Sequence, residues 1–207
     1  MTEPARRAVL LGLVAAGLPG LSSADTITSW RALRDARVVK QNLDYSCGAA
    51  SVATILREFY ALDVAEADVL ARIAPDGRYS FADLAAVVGE WGLAGGGIAL
   101  SFDKLMELQV PAIAHLRYRG RDHFTVVRGV APATGVVHVA DPSWGNRRLT
   151  AHQFRRMWET RGEAGAEGKL LLIVPRDAAT AEAIDQTFFT TPGGWHGAFR
   201  TLALARP

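Results

Sequence analysis

Cysteine is almost missing from this chain of 207 residues, which contains Cys47 alone. A single cysteine cannot form an internal disulfide, so no disulfide framework supports the fold. The same scarcity excludes zinc sites built from several cysteines. The five histidines show none of the ligand spacings of known metal sites. We therefore expect no metal and no other cofactor.

An excess of charge of either sign is also missing. The chain has 23 basic and 21 acidic residues, a net charge of +2, and the basic residues are scattered along it. Proteins that bind nucleic acid concentrate basic residues on one face, so we expect no nucleic-acid partner. The 49% of hydrophobic residues is typical of globular proteins, and the length suits one domain with a sizeable core.

No apolar run near the N-terminus is long enough for a full membrane-spanning helix. The apolar residues 8–18 follow Arg6 and Arg7 and end at a Pro-Gly pair. Small residues then offer a cleavage site after Ala24. The pattern predicts a secretory signal peptide over residues 1–24. The mature protein would then be periplasmic or secreted and have no stable membrane span; an uncleaved membrane anchor is the alternative.

The one cysteine lies where a polar segment meets a helical pattern. Apolar residues follow Cys47 at the spacing of one helix face, which predicts a helix over residues 47–60. The N–H groups and the dipole at a helix start favour a thiolate over a thiol. The position therefore indicates a nucleophile, against the alternative of a small buried hydrophobic residue. Six positions upstream, the Gln41 amide could fold back over the sulfur as an oxyanion donor.

A thiolate nucleophile needs a base, and the five histidines compete for that role. His123 opens a predicted strand directly after a tight turn, and such strand ends project side chains into clefts. His115 and His138 lie within predicted strands and remain its rivals. The other two, His152 and His196, lie near a helix start and in a glycine-rich tail, which makes a catalytic role unexpected.

Asp141 follows the next predicted strand, eighteen residues after His123. If strands 123–130 and 136–140 pair as a hairpin, their open ends bring the two residues together. One ring nitrogen of His123 would then face Cys47 and the other would be held by Asp141. The alternative is that Asp141 and the proline after it merely start a turn.

The order of the predicted elements indicates an α+β domain over residues 25–175, with N-terminal helices packed on an antiparallel sheet in two layers. The predicted helices cover residues 47–60, 65–73, 81–91, 101–108 and 150–161. The predicted strands cover residues 38–39, 112–118, 123–130, 136–140, 147–149 and 170–174. Residues 75–77 and 95–97 are expected to form turns. Residues 176–207 are expected to extend the domain, with one helix over 178–189.

Three motifs together resemble those of the peptidase C39 family, a bacteriocin-processing branch of the papain-like cysteine peptidases. The run from Gln41 to Ser51, Gln-Asn-Leu-Asp-Tyr-Ser-Cys-Gly-Ala-Ala-Ser, is similar to the family's nucleophile motif. The histidine motif is matched by His-Phe-Thr-Val-Val from His123, and the aspartate motif by Asp-Pro-Ser-Trp-Gly from Asp141. Ser46 stands where many members have Asp. The resemblance extends over about residues 37 to 175.

The resemblance implies a papain-like fold and cleavage of a peptide or protein substrate. It assigns Cys47 as nucleophile, His123 as base and acid, Asp141 as the residue that orients His123, and Gln41 as an oxyanion donor. Family members cleave leader peptides after Gly-Gly, usually as domains of ABC exporters. This sequence has no G-x-x-x-x-G-K-[ST] motif and looks more like stand-alone exported members, including those found with functional-amyloid secretion systems. The alternatives are a non-cleaving module that binds substrate and assists secretion, and acyl transfer to an amine by the same residues.

Overall fold

The fold is known from a computed structural model, which describes residues 29–73 and 79–190. The expected signal peptide, the expected turn at 75–77, His196 and residues 191–207 lie outside the described residues. Within the described ranges, no helix is both long and apolar enough to cross a membrane.

In the described part of the chain, six antiparallel strands form one sheet, in the order β1-β6-β2-β3-β4-β5. Consecutive strands from β2 to β5 are neighbours, which is the predicted meander, while β6 lies between β1 and β2. The strands are β1 (Leu93–Leu100), β2 (Ala112–Tyr118), β3 (Arg121–Ala131), β4 (Val136–Asp141), β5 (Gly145–Leu149) and β6 (Gly168–Pro175). The pairing of β3 with β4 aligns Val126 with Ala140 and therefore brings the start of β3 towards the end of β4.

Seven α-helices occur among the described residues. They are α1 (Trp30–Asp35), α2 (Cys47–Glu58), α3 (Glu66–Leu70), α4 (Phe81–Val87), α5 (Phe102–Leu105), α6 (Ala151–Trp158) and α7 (Ala178–Glu182); a 3₁₀ helix, Val88–Trp91, continues α4. Local sequence explains several of their starts. Ser80 and Thr150 each cap a helix and pair with a residue three positions later, a capping box, and Ser101 caps α5.

The sheet has a hydrophobic core on each face. Helix α2 packs on one face through the core that includes Ile113, Val126 and Leu171. Helix α6 packs on the other through the core that includes Val127 and Leu170. Successive strand residues point to opposite faces, so neighbours such as Val126 and Val127 enter different cores. The α+β class with helices on an antiparallel sheet is confirmed, but the expected two layers are wrong because α6 covers the second face.

Three local predictions are wrong. Gly95, Gly96 and Gly97 form part of β1 instead of a turn and pair with β6. The turn comes earlier, at Gly92, which has a φ of 73°. Residues 38–39 form no strand, and the helix expected over 178–189 is only α7. Beyond α7, Phe188 and Phe189 are buried in the two cores, one in each.

Candidate active site

Cys47 is the first residue of α2 and is buried, with 8% of its surface exposed. The residue before it, Ser46, is fully buried, and its hydroxyl donates to the Leu43 carbonyl at 2.8 Å. Ser46 therefore closes the polar loop upstream, and its side chain does not cap the helix. The thiol therefore lies at the start of α2, directly after the polar loop, as the sequence predicts.

Tyr79 supplies the cap that Ser46 does not. Its hydroxyl accepts from the backbone N–H of Gly48 at 3.1 Å and of Ala49 at 3.4 Å, and donates to the Tyr45 carbonyl. Gly48 is required here because a Cβ would overlap the Tyr79 ring. Burial and the charge of Cys47 raise the pKa of Tyr79 far above its usual range, so the hydroxyl stays protonated. No local pattern in the sequence identifies Tyr79, since its contact with α2 spans 31 positions.

His123 and Asp141 form a hydrogen bond of 2.8 Å between Nε2 and Oδ2. Asp141 is fully buried, and the His123 side chain is 13% exposed. Cys47 interacts with His123 closely enough to raise the pKa of the imidazole, and Nδ1 is the ring nitrogen that Asp141 leaves free. The structure therefore brings together the three residues that the sequence analysis placed at one site. The Trp144 ring lies against the imidazole, with 5.3 Å between ring centroids.

The Asp141 carboxylate accepts three N–H donors. Besides His123 at Oδ2, the backbone N–H groups of Ser143 and Trp144 donate to Oδ1 at 2.9 and 2.8 Å. Burial raises the pKa of Asp141, but the hydrogen bond and charge of His123, with the Trp144 N–H, outweigh burial and lower it. The carboxylate is therefore ionised and aimed at the imidazole.

The electrostatics of His123 favour its protonated form. Burial is the largest single effect and lowers the pKa of His123. The hydrogen bonds and charges of Asp141 and Cys47 together outweigh it and raise that pKa from 6.5 to about 9. An imidazolium between a carboxylate and a sulfur is the arrangement in which a thiolate nucleophile and a proton donor coexist at neutral pH.

Gln41 lies on the loop before Cys47 and is tied to the loop that follows Asp141. Its backbone N–H donates to the Pro142 carbonyl at 3.2 Å, and its Oε1 accepts from the Ser143 hydroxyl at 2.6 Å. Its Nε2 donates to the Leu43 carbonyl at 2.8 Å. A primary amide has two N–H donors, so one remains for a ligand.

Glu66 fixes the same loop from the other side. Although it is a carboxylate, only 4% of its surface is exposed. Its two oxygens accept from the backbone N–H of Asn42, at 3.0 and 3.1 Å, and one of them from the Asn42 side chain at 2.5 Å. A buried charge is tolerated when it is hydrogen-bonded in this way. No local pattern links two residues 24 positions apart, so this clamp of Glu66 on Asn42 could not be predicted from the sequence.

The other described histidines lie apart from this cluster. His115 pairs with Asp122 at 3.2 Å, His138 contacts the Thr190 hydroxyl at 3.4 Å, and His152 is exposed on α6. Among residues 29–73 and 79–190, no group of His, Cys, Asp and Glu side chains could hold a metal ion. The candidate site itself combines a thiol, an imidazole and a carboxylate, which have nucleophilic and acid–base chemistry.

Sequence relatives share the region that contains this site. A Pseudomonas fluorescens protein named "Probable functional amyloid protease FapD" is 31% identical over 140 residues, which are 64% of this chain and 61% of that protein. A Pseudomonas aeruginosa protein of the same name is 30% identical over 173 residues, 77% of this chain and 76% of that protein. The first alignment thus spans less than two thirds of the relative's length.

The fold also resembles a solved peptidase. This is a double glycine motif protease from an AMS/PCAT transporter, crystallised with its leader peptide. The superposition covers 67% of this chain and 90% of that one, with a TM-score of 0.55 and 24% identity. The likeness shows a papain-like fold. The model of the Peptidase C39 family matches residues 35–162, which contain Gln41, Cys47, His123 and Asp141, and the chain belongs to that family of cysteine peptidases.

Proposed function

We propose that this chain is an exported cysteine peptidase whose catalytic residues are Cys47, His123, Asp141 and Gln41. One observation carries the proposal: buried Asp141 holds Nε2 of His123 at 2.8 Å, and together with Cys47 it raises the pKa of His123 to about 9. The imidazole therefore keeps its proton at neutral pH, next to the sulfur that would attack the substrate.

The proposed reaction has two halves, the acylation of Cys47 and the hydrolysis of the resulting thioester. The sulfur of Cys47 bonds to the carbonyl carbon of the scissile peptide, and the oxygen becomes an oxyanion. The remaining N–H of Gln41 and the backbone N–H of Cys47 stabilise it. His123 passes its proton to the amide nitrogen, and the C–N bond breaks to leave a thioester. His123 then takes a proton from water, and the water oxygen bonds to the thioester carbon. The C–S bond breaks, which releases the carboxylic acid and restores the Cys47 thiolate beside protonated His123.

The proposed substrate is an exported peptide or protein of a secretion or functional-amyloid system. The names of the two Pseudomonas relatives support the amyloid class. The structural neighbour bound to a leader peptide supports peptides cut after a double glycine. The signal-like N-terminus supports a periplasmic or secreted location.

Mass spectrometry of substrates incubated with the purified protein tests the proposal. The substrates are an exported amyloid-forming protein and a Gly-Gly leader peptide, under reducing conditions. We expect cleavage by the wild type, with no detectable cleavage by Cys47→Ala. Cleavage that survives in the variant contradicts the assignment of Cys47.

Cys47→Ala also distinguishes a peptidase from a module that binds its substrate without cleaving it. If the chain only binds its substrate, Cys47→Ala retains its biological role; if it is a peptidase, that role is lost. An added primary amine that appears in the products would instead indicate acyl transfer.

A further inference from the structure

A groove of about 500 Å³ begins beside the candidate active site and runs along α6. Its volume falls in the range of ligand sites, roughly 300–1,000 Å³. Helix α6, the end of β2 and the outer half of β5 with the preceding Trp144 form its walls. We call it the α6 groove; its lining includes Arg117, Tyr118, Arg119, Trp144, Arg147 and Arg156.

The aromatic wall of the groove is continuous with the catalytic histidine. Trp144 contacts the His123 ring, and Tyr118 packs edge-on against Trp144 with centroids 5.1 Å apart. Two guanidinium groups lie over these rings: Arg147 is 5.1 Å from the Trp144 centroid and Arg119 is 5.2 Å from that of Tyr118. A chain that leaves His123 along this wall enters the groove.

The groove concentrates positive charge in a protein whose net charge is only +2. Of the described residues that line it, four are arginines and none is a carboxylate. Nε of Arg117 lies 3.6 Å from Oδ1 of Asp122, a residue that does not line the groove. Among the described residues, Arg119, Arg147 and Arg156 make no ion pair with a carboxylate. Guanidinium groups bind carboxylates with two parallel hydrogen bonds, and a cleft of one sign attracts the opposite charge.

The chemistry of the site decides which part of a substrate meets the groove. The part of the substrate before the scissile bond stays on Cys47 as the acyl group, beside Gln41. The part after the bond leaves as the amine and takes its proton from His123. The groove starts at Trp144, on the His123 side, so it faces the amine half. We propose that the α6 groove binds an acidic segment of the substrate that follows the scissile bond. This inference rests on the proposed peptidase function for the direction of the chain.

Binding is tested without cleavage by using the full-length Cys47→Ala protein. The probe is a dye-labelled octapeptide rich in Glu, compared by fluorescence anisotropy with a twin that carries Gln at each Glu. We expect the acidic peptide to bind at least about tenfold more tightly at low salt, with the difference shrinking as salt screens the charges. Adding Arg119→Gln and Arg156→Gln should remove most of the difference.

Arg31→Gln combined with Arg57→Gln is the matched control. The pair removes the same two charges at exposed positions on α1 and α2, outside the groove, and should leave the preference intact. Equal binding of the two peptides, or equal losses in control and groove variants, would overturn the proposal. So would a single-stranded oligonucleotide that displaces the acidic peptide through the same arginines and binds more tightly.

Cleavage assays test which side of the scissile bond lies in the α6 groove. A peptide that the wild type cuts is made with Glu or Gln in the three positions after the scissile bond, and again in the three before it. We expect kcat/KM to rise about tenfold for Glu after the bond, and Arg156→Gln to abolish the gain. A gain only before the bond overturns the assigned direction. If no peptide is cut, the proposed function fails, while the anisotropy result still decides whether the groove binds acidic chains.

Discussion

Asp141→Asn removes one charge and one acceptor oxygen from the centre of the site with almost no change in size. The native carboxylate accepts His123 at one oxygen and two backbone N–H groups at the other. An asparagine has only one acceptor oxygen. It can serve the backbone N–H groups or the histidine N–H, and the third donor then faces an NH₂ group.

The asparagine has the lower free energy when its oxygen keeps both backbone hydrogen bonds. Turning its amide would leave two buried N–H donors unpaired, which destabilises the protein by about 1–3 kcal/mol each. The amide NH₂ then points at Nε2 of His123, which must lose its proton to accept. The neighbouring negative charge is also gone, and such a charge usually accounts for about 1–3 pKa units. We therefore expect the pKa of His123 to fall from about 9 by at least one unit, about 1.4 kcal/mol of ion-pair stabilisation.

Two measurements follow the change without requiring a substrate. NMR titration of the histidine ring protons gives the pKa of His123 in the wild type and the variant. Alkylation by iodoacetamide, followed by intact mass, reports on Cys47 alone because the chain has no other cysteine. We expect alkylation at neutral pH to be at least about tenfold slower in Asp141→Asn, since a neutral imidazole no longer stabilises the thiolate.

Ser143→Ala is the control for this site. It removes the hydroxyl that holds Gln41 but keeps the backbone N–H that Asp141 accepts. The pKa of His123 should stay near 9 in this variant while kcat falls. An unchanged His123 titration in Asp141→Asn would refute the reasoning, because it would mean that Asp141 is not what keeps the imidazole charged.

Three further predictions concern stability and the support of the site. Tyr79→Phe should lower the free energy of unfolding by about 1–2 kcal/mol in urea titrations, because the two N–H groups at the start of α2 lose their acceptor. Glu66→Gln should cost about 1–3 kcal/mol in the same titration and lower kcat more than KM changes, because the loop that carries Gln41 loses its clamp; equal kcat would contradict this role. The folded pKa of His123, about 9, lies above its ordinary value of 6.5, so its stabilising contribution is complete below pH 6.5 and is lost as the pH rises through about 9. Urea unfolding across that window should show the decrease in wild type and not in His123→Gln.

Local patterns in the sequence were sufficient for the parts of the site that local structure positions. The apolar spacing after Cys47 predicts α2, and the position of Cys47 as its first residue follows directly. The strand patterns on either side of residues 132–135 predict the hairpin of β3 and β4, and a hairpin brings the start of one strand close to the end of the other. That geometry is why His123 and Asp141 could be paired in advance.

Contacts between distant segments decided the rest. Gly95 is predicted as a turn residue, yet it lies in β1. Glycine is needed there because α4 passes so close that a Cβ would overlap Ala85. The insertion of β6 between β1 and β2 depends on pairings across more than 50 residues. Secondary-structure periodicity carries no information on such pairings, since it reports only which face of an element is apolar.

The sequence by itself determined the nucleophile helix, the meander and the three residues of the candidate triad, because each depends on neighbours along the chain. Only the tertiary structure revealed that Tyr79 caps the nucleophile helix and that Glu66 clamps the Gln41 loop. It also placed α6 on the second face of the sheet, where four scattered arginines line one groove. The physical reason is that capping by a distant hydroxyl, burial of a charge and clustering of like charges arise only when segments remote in sequence meet.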